Sequence, residues 1–345
     1  MLALLSALGI WFAERGGQGA GGASHILSVA GASPLVSVGV RVPEPALPPR
    51  SDPHLAVTAT GGDGLEMRMV AQAASGALVR GPWSPAAPTL SIPAAISHLT
   101  ETGQVSGRVE VRDDSGGVAR SGWILVPPTS GVGRAQVVRA VVTSRPDVAL
   151  VFDDGVDATG MARIIATLRT TGAGGTFCLN GINGRRWPKS LQVAMRQAVV
   201  DGVLSLCSHG WSHRTSTSTT KADALHDLSA NAAIDRSIGA SAIPFYRPPY
   251  GALSPGIRAA AGALGYRWIV LWNVDPSDYT RPGAATLAHR VVRASSKGSI
   301  VVLHALGTTA DALPAMIRGL RARGLEPVTL ARLFSSGTPS STGAA

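Results

Sequence analysis

Two histidines and two aspartates have the types and spacing that could hold a metal ion. His209 and His213 are four residues apart, so their imidazoles would share one face of a helix or tight turn and could bind the same ion. Asp153 and Asp154 follow the apolar run 149–152, and adjacent carboxylates are unfavourable unless a cation or an arginine compensates them. Surface or core histidines and helix-capping acids have the same patterns, so neither pair alone identifies a metal site.

Two further clusters could supply charged and acid–base groups. Arg247 precedes two prolines, which restrict the backbone of the turn and fix the position of the guanidinium. His304 ends the apolar run 300–303, and Asp275 and Asp278 follow the preceding apolar run. An Asp–His pair at this point would keep the imidazole protonated and oriented, as acid–base chemistry requires.

Each cluster follows an apolar run that is typical of a β-strand. Between these runs, apolar residues recur at helical spacing. The predicted helices span 161–170, 190–200, 222–238, 255–264, 285–294 and 312–323. Alternating strands and helices indicate a mainly parallel α/β sheet, closed or open, whose strands deliver their polar ends to one edge.

Short β-rich segments indicate a small all-β domain before this α/β region. The predicted strands span 36–42, 55–60, 65–74, 77–79, 89–92, 104–111 and 119–126. Glycine- and aspartate-rich turns separate them, which favours an antiparallel sandwich. The predicted division is a signal-like or flexible N-terminus (1–32), a β-sandwich-like domain (33–128), a linker (129–146), a (β/α) barrel (147–334) and a flexible tail (335–345).

Composition limits the class of protein. The chain has 345 residues, of which 45% are hydrophobic, enough for two domains with cores of their own. Its net charge of +10 comes from scattered arginines and lysines and not from a basic stripe interleaved with aromatic residues, so we expect no nucleic-acid partner. We expect a monomer.

The N-terminus and the two cysteines allow further expectations. Residues 1–13 are apolar but shorter than the ~18 residues that span a bilayer, and they resemble the core of a secretory signal. We therefore expect a secreted or cell-wall-associated protein, with anchoring through this segment as the alternative. Cys178 and Cys207 end successive predicted strands, and we favour two buried thiols over a disulfide.

Taken in order, five motifs resemble those of the NodB-type polysaccharide deacetylases. They are Phe152-Asp153-Asp154-Gly155, His209-Gly-Trp-Ser-His213, Arg247-Pro-Pro-Tyr-Gly251, Asp275-Pro-Ser-Asp278-Tyr279 and Val302-Leu-His304. The resemblance covers about residues 147–334. It implies a distorted (β/α) barrel that holds one divalent metal, usually zinc, with cobalt or manganese as alternatives.

The resemblance also implies a role for each site residue. Asp154, His209 and His213 would be the metal ligands. Asp153 would be the general base, held ionised by Arg247.

The remaining motifs imply the other half of the reaction. His304 would be the general acid, oriented by Asp278, and the backbone N–H of Tyr250 would help to stabilise the oxyanion. Trp211, Tyr250 and Tyr279 could line a sugar groove, or pack in the core. The sequence has Gly210 where the family usually has Ser or Thr.

We therefore expect a hydrolase that removes N-acetyl groups from a polysaccharide, either peptidoglycan or a chitin-like polymer, and releases acetate. An esterase that deacetylates xylan would use the same site. A wall-binding pseudoenzyme is the alternative from a different class, and the intact set of acids and histidines argues against it. A phosphatase with an aspartyl nucleophile needs Asp-x-Asp, whereas here the two aspartates are adjacent.

Overall fold

The computed structural model describes residues 37–41, 54–60, 63–72, 77–101, 105–121, 124–126 and 134–342. In this part of the chain, a region built mostly of antiparallel strands precedes an α/β region with a parallel sheet. This arrangement confirms the predicted fold class.

The N-terminal region consists of two antiparallel sheets. Its elements are β1 (Ser37–Arg41), β2 (His54–Thr60), β3 (Glu66–Gln72), β4 (Leu78–Arg80), β5 (Ser84–Pro85), β6 (Thr89–Ser91), helix α1 (Ala94–Ser97), β7 (Ser106–Arg112), β8 (Val118–Arg120) and β9 (Ile124–Leu125). One sheet has the order β1-β2-β6, and the other β4-β3-β7-β8, with β5 on β3 and β9 on β7. Val38 and Leu55 of the first sheet share a core with Met69 and Val109 of the second. Alternating strand residues fill this core, as the sequence pattern indicates.

The C-terminal region is built around a parallel sheet. Its strands are β10 (Gln136–Val138), β11 (Ala140–Val142), β12 (Asp147–Asp154), β13 (Gly175–Leu179), β14 (Leu204–Ser208), β15 (Phe245–Tyr246), β16 (Trp268–Val270), β17 (Ile300–His304), β18 (Glu326–Val328) and β19 (Thr338–Ser340). The sheet order is β10-β16-β15-β14-β13-β12-β17, and β18 also pairs with β12. Beyond β16, Val274 forms a parallel bridge with Val301 of β17, so the sheet curls into a distorted barrel.

Helices cover this sheet between the strands. They are α2 (Ala158–Thr171), α3 (Gly181–Gly184), α4 (Lys189–Val200), α5 (Lys221–Ile238), α6 (Pro255–Ala263), α7 (Ala284–Ala294), α8 (Gly307–Ala322) and α9 (Leu330–Ser335). The side chains of Asp157 and Thr220 cap the N-termini of α2 and α5. Helix α8 begins at Gly307, five residues before the predicted start at 312. The prediction began too late because Thr309 and Ala310, the first buried residues of the helix, are small and add little to the apolar pattern.

The predicted linker and tail differ from the structure. Strands β10 and β11 lie inside the segment 129–146 that we predicted as linker, and β19 lies inside the predicted tail 335–345. Strand β10 is the edge strand beside β16, and β11 pairs with β19. Each of these strands has three residues, too few for an alternating pattern to be recognised.

The cysteines were predicted wrongly as free thiols. Cys178 on β13 and Cys207 on β14 are direct register partners and form a disulfide. The sequence placed both near strand ends, but it could not show that the two strands are neighbours in register.

The predicted localisation is contradicted. In the part of the chain that the structure describes, we found no helix both long and apolar enough to cross a bilayer. The segment 1–13, on which the prediction of export or anchoring depended, lies outside the described residues.

Candidate metal and acid–base site

Three potential metal ligands meet at the C-terminal edge of the parallel sheet. Asp154 ends β12, His209 directly follows β14, and His213 lies in the loop beyond it. Asp154 Oδ1 is 3.4 Å from His209 Nε2 and 3.1 Å from His213 Nε2. Within the described residues, these side chains form the cluster that could hold a metal ion, with their ligand atoms all within 4.8 Å of one another.

Unusual backbone angles bring the ligands together. Asp154 has φ of 71°, and His213 has φ of 57°, both in the left-handed region that costs a side-chain-bearing residue about 1 kcal/mol or more. Successive strand residues point to opposite faces, and the change of angle at Asp154 ends that alternation. Gly155 continues the turn at φ 71°, where a Cβ would lie 2.6 Å from the Trp187 ring.

The electrostatics of the cluster favour a positive charge beside Asp154. Burial would raise the pKa of Asp154, but hydrogen bonds and charges from His209 and His213 outweigh it and hold the pKa far below its usual value. Burial likewise lowers the pKa of His209, but Asp153 and Asp154 outweigh it, so that this pKa is raised. The carboxylates therefore create a site that attracts a cation or a proton.

A buried hydrogen bond fixes the orientation of His209. Its Nδ1 lies 2.7 Å from the backbone oxygen of Arg247. A carbonyl oxygen only accepts, so Nδ1 carries the proton and donates it, which leaves Nε2 free to bind an ion in the neutral ring. The Nε2 atom is the one that faces Asp154.

Asp153 faces a buried guanidinium. Arg247 is completely buried, and its Nη1 donates to Asp153 Oδ1 at 2.9 Å. Its Nε and Nη2 donate to the backbone oxygens of Val270 and Leu271. Burial lowers the pKa of Arg247, and the charge of Asp153 opposes this effect. The guanidinium is thus fixed by three hydrogen bonds and neutralises the carboxylate.

His304 and Asp278 form the second charged pair. His304 Nδ1 lies 2.7 Å from Asp278 Oδ1, while the backbone N–H of His304 and the hydroxyl of Thr309 donate to Oδ2. Burial would lower the pKa of His304, but Asp278, with smaller contributions from Asp153 and Asp154, raises it to about 9. His304 is the register partner of Asp153 on the adjacent strand, so both pairs lie at the same edge.

Two exposed tyrosines flank these groups. The Tyr250 ring is 4.7 Å from the His213 ring, and its hydroxyl lies 3.2 Å from His213 Nδ1. The Tyr279 ring is 6.0 Å from the His304 ring. The side chains remain accessible, since Tyr250 is 74% exposed and Tyr279 is 59% exposed. Tyr250 has φ of 60°, within the turn that follows Arg247.

A comparison with protein families identifies this region. The family model described as polysaccharide deacetylase matches residues 140–269, a stretch that contains Asp153, Asp154, both histidines of the cluster and Arg247. The C-terminal region contains a domain of the polysaccharide deacetylase family, matched over residues 140–269. The predicted resemblance is thereby confirmed for this domain.

Relatives of the deacetylase domain act on peptidoglycan according to their names. The peptidoglycan-N-acetylmuramic acid deacetylase PdaC of Bacillus subtilis is 27% identical over 187 residues, 54% of this chain and 38% of that protein. A peptidoglycan-N-acetylglucosamine deacetylase of Bacillus cereus is 27% identical over 198 residues, 56% of this chain and 70% of that protein. The aligned region thus spans 38% of the first of these relatives.

A solved structure has the same fold. BA3943 of Bacillus anthracis, described as a CE4 family pseudoenzyme, superposes with a TM-score of 0.53 at 19% identity, covering 68% of this chain and 85% of its own. At this level of identity, the likeness is one of fold alone.

The sequence did not point to several polar residues that contact the site. Asn180 Nδ2 donates to Asp154 Oδ1 at 3.3 Å, and Asn183 Nδ2 donates to the backbone oxygen of Asp154 at 3.2 Å. Asn180 directly follows β13, and its place after an apolar run was the signal that could have found it. Thr309 lies in α8, and no sequence signal links it to Asp278.

Asp275 and Asp278 have different contacts, which could not be predicted from the sequence. Its Oδ1 accepts a hydrogen bond from the backbone N–H of Ser277 at 2.8 Å, and its side chain is exposed. Asp275 therefore shapes the turn, and Asp278 is the partner of His304.

Proposed function

We propose that the chain is a metal-dependent hydrolase that removes N-acetyl groups from a polysaccharide and releases acetate. The observation that carries this proposal is that three groups of site residues meet at one edge of the parallel sheet. They are the cluster of Asp154, His209 and His213, the buried pair of Asp153 and Arg247, and the pair of His304 and Asp278.

The ligand cluster fits a divalent metal. In a tetrahedral site with metal–ligand bonds of about 2.0–2.2 Å, neighbouring ligand atoms are about 3.4 Å apart. The carboxylate oxygen of Asp154 is 3.1 and 3.4 Å from the two imidazole nitrogens. A set of two imidazoles and one carboxylate suits zinc and leaves coordination positions free, while cobalt and manganese also bind such donors.

Asp153 is suited to act as the general base. A bound divalent metal would supply a Lewis acid that polarises the acetyl carbonyl and lowers the pKa of water. Asp153 would then remove a proton from the water that attacks the carbonyl carbon. Its carboxylate accepts a hydrogen bond from the fixed guanidinium of Arg247, which holds it in place at the sheet edge.

His304 is suited to act as the general acid. Its raised pKa of about 9 keeps the imidazole protonated at neutral pH. It would donate this proton to the nitrogen of the departing amine as the carbon–nitrogen bond breaks. Asp278 binds Nδ1, so the proton to be donated is that on Nε2. Water and the amide are thus converted to acetate and a free amino sugar.

The exposed tyrosines support a carbohydrate substrate. Large exposed aromatic side chains beside a catalytic centre are typical of ligand-binding surfaces. Tyr250 and Tyr279 flank the site on the sides of His213 and His304. We assign the backbone N–H of Tyr250 to stabilisation of the oxyanion, since this tyrosine follows Arg247 in the rigid turn.

The names of the similar proteins support peptidoglycan as the substrate polymer. A chitin-like polymer of N-acetylglucosamine has the same acetamide group. The proposed substrate class is therefore an N-acetylated glycan. An inactive wall-binding protein is disfavoured, because the proposed ligands, base and acid are all present and brought to one edge.

Acetate release tests this proposal. Purified protein should release acetate from N-acetylglucosamine oligomers or peptidoglycan, lose this activity after chelation, and regain it with zinc. Acetylated xylan serves as the ester control. Release from xylan alone would replace the amide reaction with an ester one, and no release from any of the three would refute a deacetylase.

A further inference from the structure

The loop that carries the two histidines lacks regular secondary structure. It runs from His209 to His213, between β14 and α5. Gly210 and His213 both have positive φ, of 72° and 57°. Because the conformation at His213 is unfavourable for a residue with a side chain, contacts from outside the loop must stabilise it.

Helix α5 supplies such contacts through Asp227. The carboxylate accepts hydrogen bonds from the backbone N–H groups of Trp211 and Ser212, each at 2.9 Å, and from the Ser212 hydroxyl at 2.6 Å. Trp211 and Ser212 lie between the two histidines. One side chain therefore fixes the segment whose shape sets the separation of the imidazoles.

A second residue of α5 supports the other side of His209. Asn231 is one helical turn beyond Asp227, so both lie on the same face of the helix. Its Nδ2 donates to Ser208 Oγ at 2.9 Å and to the backbone oxygen of Leu179 at 3.1 Å. The same Leu179 oxygen accepts the backbone N–H of His209 at 2.8 Å. Asn231 is buried, so this support is shielded from water.

Gly210 makes room for the Asp227 carboxylate. A Cβ built at Gly210 would collide with Asp227 Oδ2. The absence of a side chain at position 210 and the presence of the carboxylate thus belong to one arrangement.

We propose that Asp227 is the positioning residue of the metal site. It fixes the loop so that His209 and His213 are preorganised, and it thereby sets the affinity for the ion. This inference rests on the proposed function, because it assumes that the two histidines bind a metal. In this role Asp227 would act through Trp211 and Ser212 and would not itself bind the ion.

Zinc affinity is the direct test, measured by competition with a chromogenic chelator. Asp227→Ala should weaken zinc binding about tenfold to hundredfold, the usual effect of removing a partner that orients a metal ligand. Asp227→Asn, which keeps an acceptor oxygen and the shape, should cause a smaller loss. Activity at saturating zinc should recover more fully in Asp227→Asn than in Asp227→Ala.

A matched control lies in the same helix. Asp223 is exposed and contacts Thr220 at the start of α5, so Asp223→Ala should leave zinc affinity within about twofold of wild type while testing general effects on the helix. Circular dichroism establishes whether each variant is folded. If Asp227→Ala does not fold, Asp227→Asn decides the matter.

Two outcomes separate the failure of this inference from that of the proposed function. Wild-type zinc affinity in folded Asp227 variants would overturn the positioning role and leave the metal site intact. Zinc affinity that is unaffected by His209→Ala would instead overturn the metal site itself.

Discussion

Adjacent aspartates have different surroundings, and this difference gives each its proposed task. Asp154 faces two imidazoles, whereas Asp153 faces a buried guanidinium. Neighbouring carboxylates that both faced water would repel each other and have similar chemistry. Separate partners allow one to bind a cation while the other remains a base.

The pair of His304 and Asp278 predicts that activity depends on pH. His304 must be protonated to donate, and because its pKa is raised from 6.5 to about 9, the acid form is lost as the pH rises through that value. A bound cation nearby would lower the pKa again. The profile of kcat/KM should therefore fall at alkaline pH, with its limb no higher than about pH 9.

Asp278→Asn tests the cause of this limb. The neutral amide no longer stabilises the imidazolium, so the alkaline limb should move to lower pH. Activity measured across pH 6 to 10 in both proteins would show the shift. An alkaline limb at the same pH in the variant would mean that His304 is not the titrating acid.

The residue types and their order were predictable from the sequence, but their partners were not. Asp154 and His209 were recognisable because each follows an apolar run. Asn180 and Asp227 act through tertiary contacts, and no local pattern relates Asp227 to a loop 15 residues away.

Among the strands and helices, β12 lies at the centre of the site. It is buried along nearly its whole length and pairs with β13 and β17, so it delivers Asp153 and Asp154 between the asparagine of one neighbour and His304 of the other. Strands and helices of this size were predictable from their periodicity. The three-residue strands β10 and β19 were not, because their pairing depends on partners distant in the chain.

The disulfide between β13 and β14 should contribute to stability. Cys178 and Cys207 are 29 residues apart, and closing a loop of this length lowers the entropy of the unfolded chain, which stabilises the folded state by about 3.6 kcal/mol. Replacing both with alanine should lower the free energy of unfolding in urea by about this amount, with little change in acetate release.

Reduction provides the control for this prediction. A reducing agent should destabilise the wild-type protein to a similar extent and leave the double alanine variant unchanged. Equal stability of the wild type with and without reductant would contradict a stabilising role for the bond.

The described residues form two regions, each with a hydrophobic core of its own. The strands of the N-terminal region surround one core, and the deacetylase domain surrounds the others. The hydroxyl of Ser106 donates to the backbone oxygen of Val200 at 2.7 Å, which joins the two regions. The proposed site residues belong entirely to the deacetylase domain.

Removal of the N-terminal region should therefore spare the chemistry. A variant that begins at residue 134 should deacetylate short N-acetylglucosamine oligomers with a kcat within about threefold of the full chain, because the site and its supporting helix α5 remain. Folding is checked by circular dichroism. Loss of kcat in a folded truncated protein would show that the N-terminal region contributes to catalysis.

Zinc content and acetate release, measured in two single variants, test the metal site and the general base together. Since His209 is a proposed ligand and Asp153 the proposed base, His209→Ala should lose both zinc and activity. Asp153→Asn should keep one zinc per chain and lose at least about a hundredfold in kcat. Full zinc content in His209→Ala would show that the ion is not bound at this cluster, and near-normal turnover in Asp153→Asn would show that Asp153 is not the base.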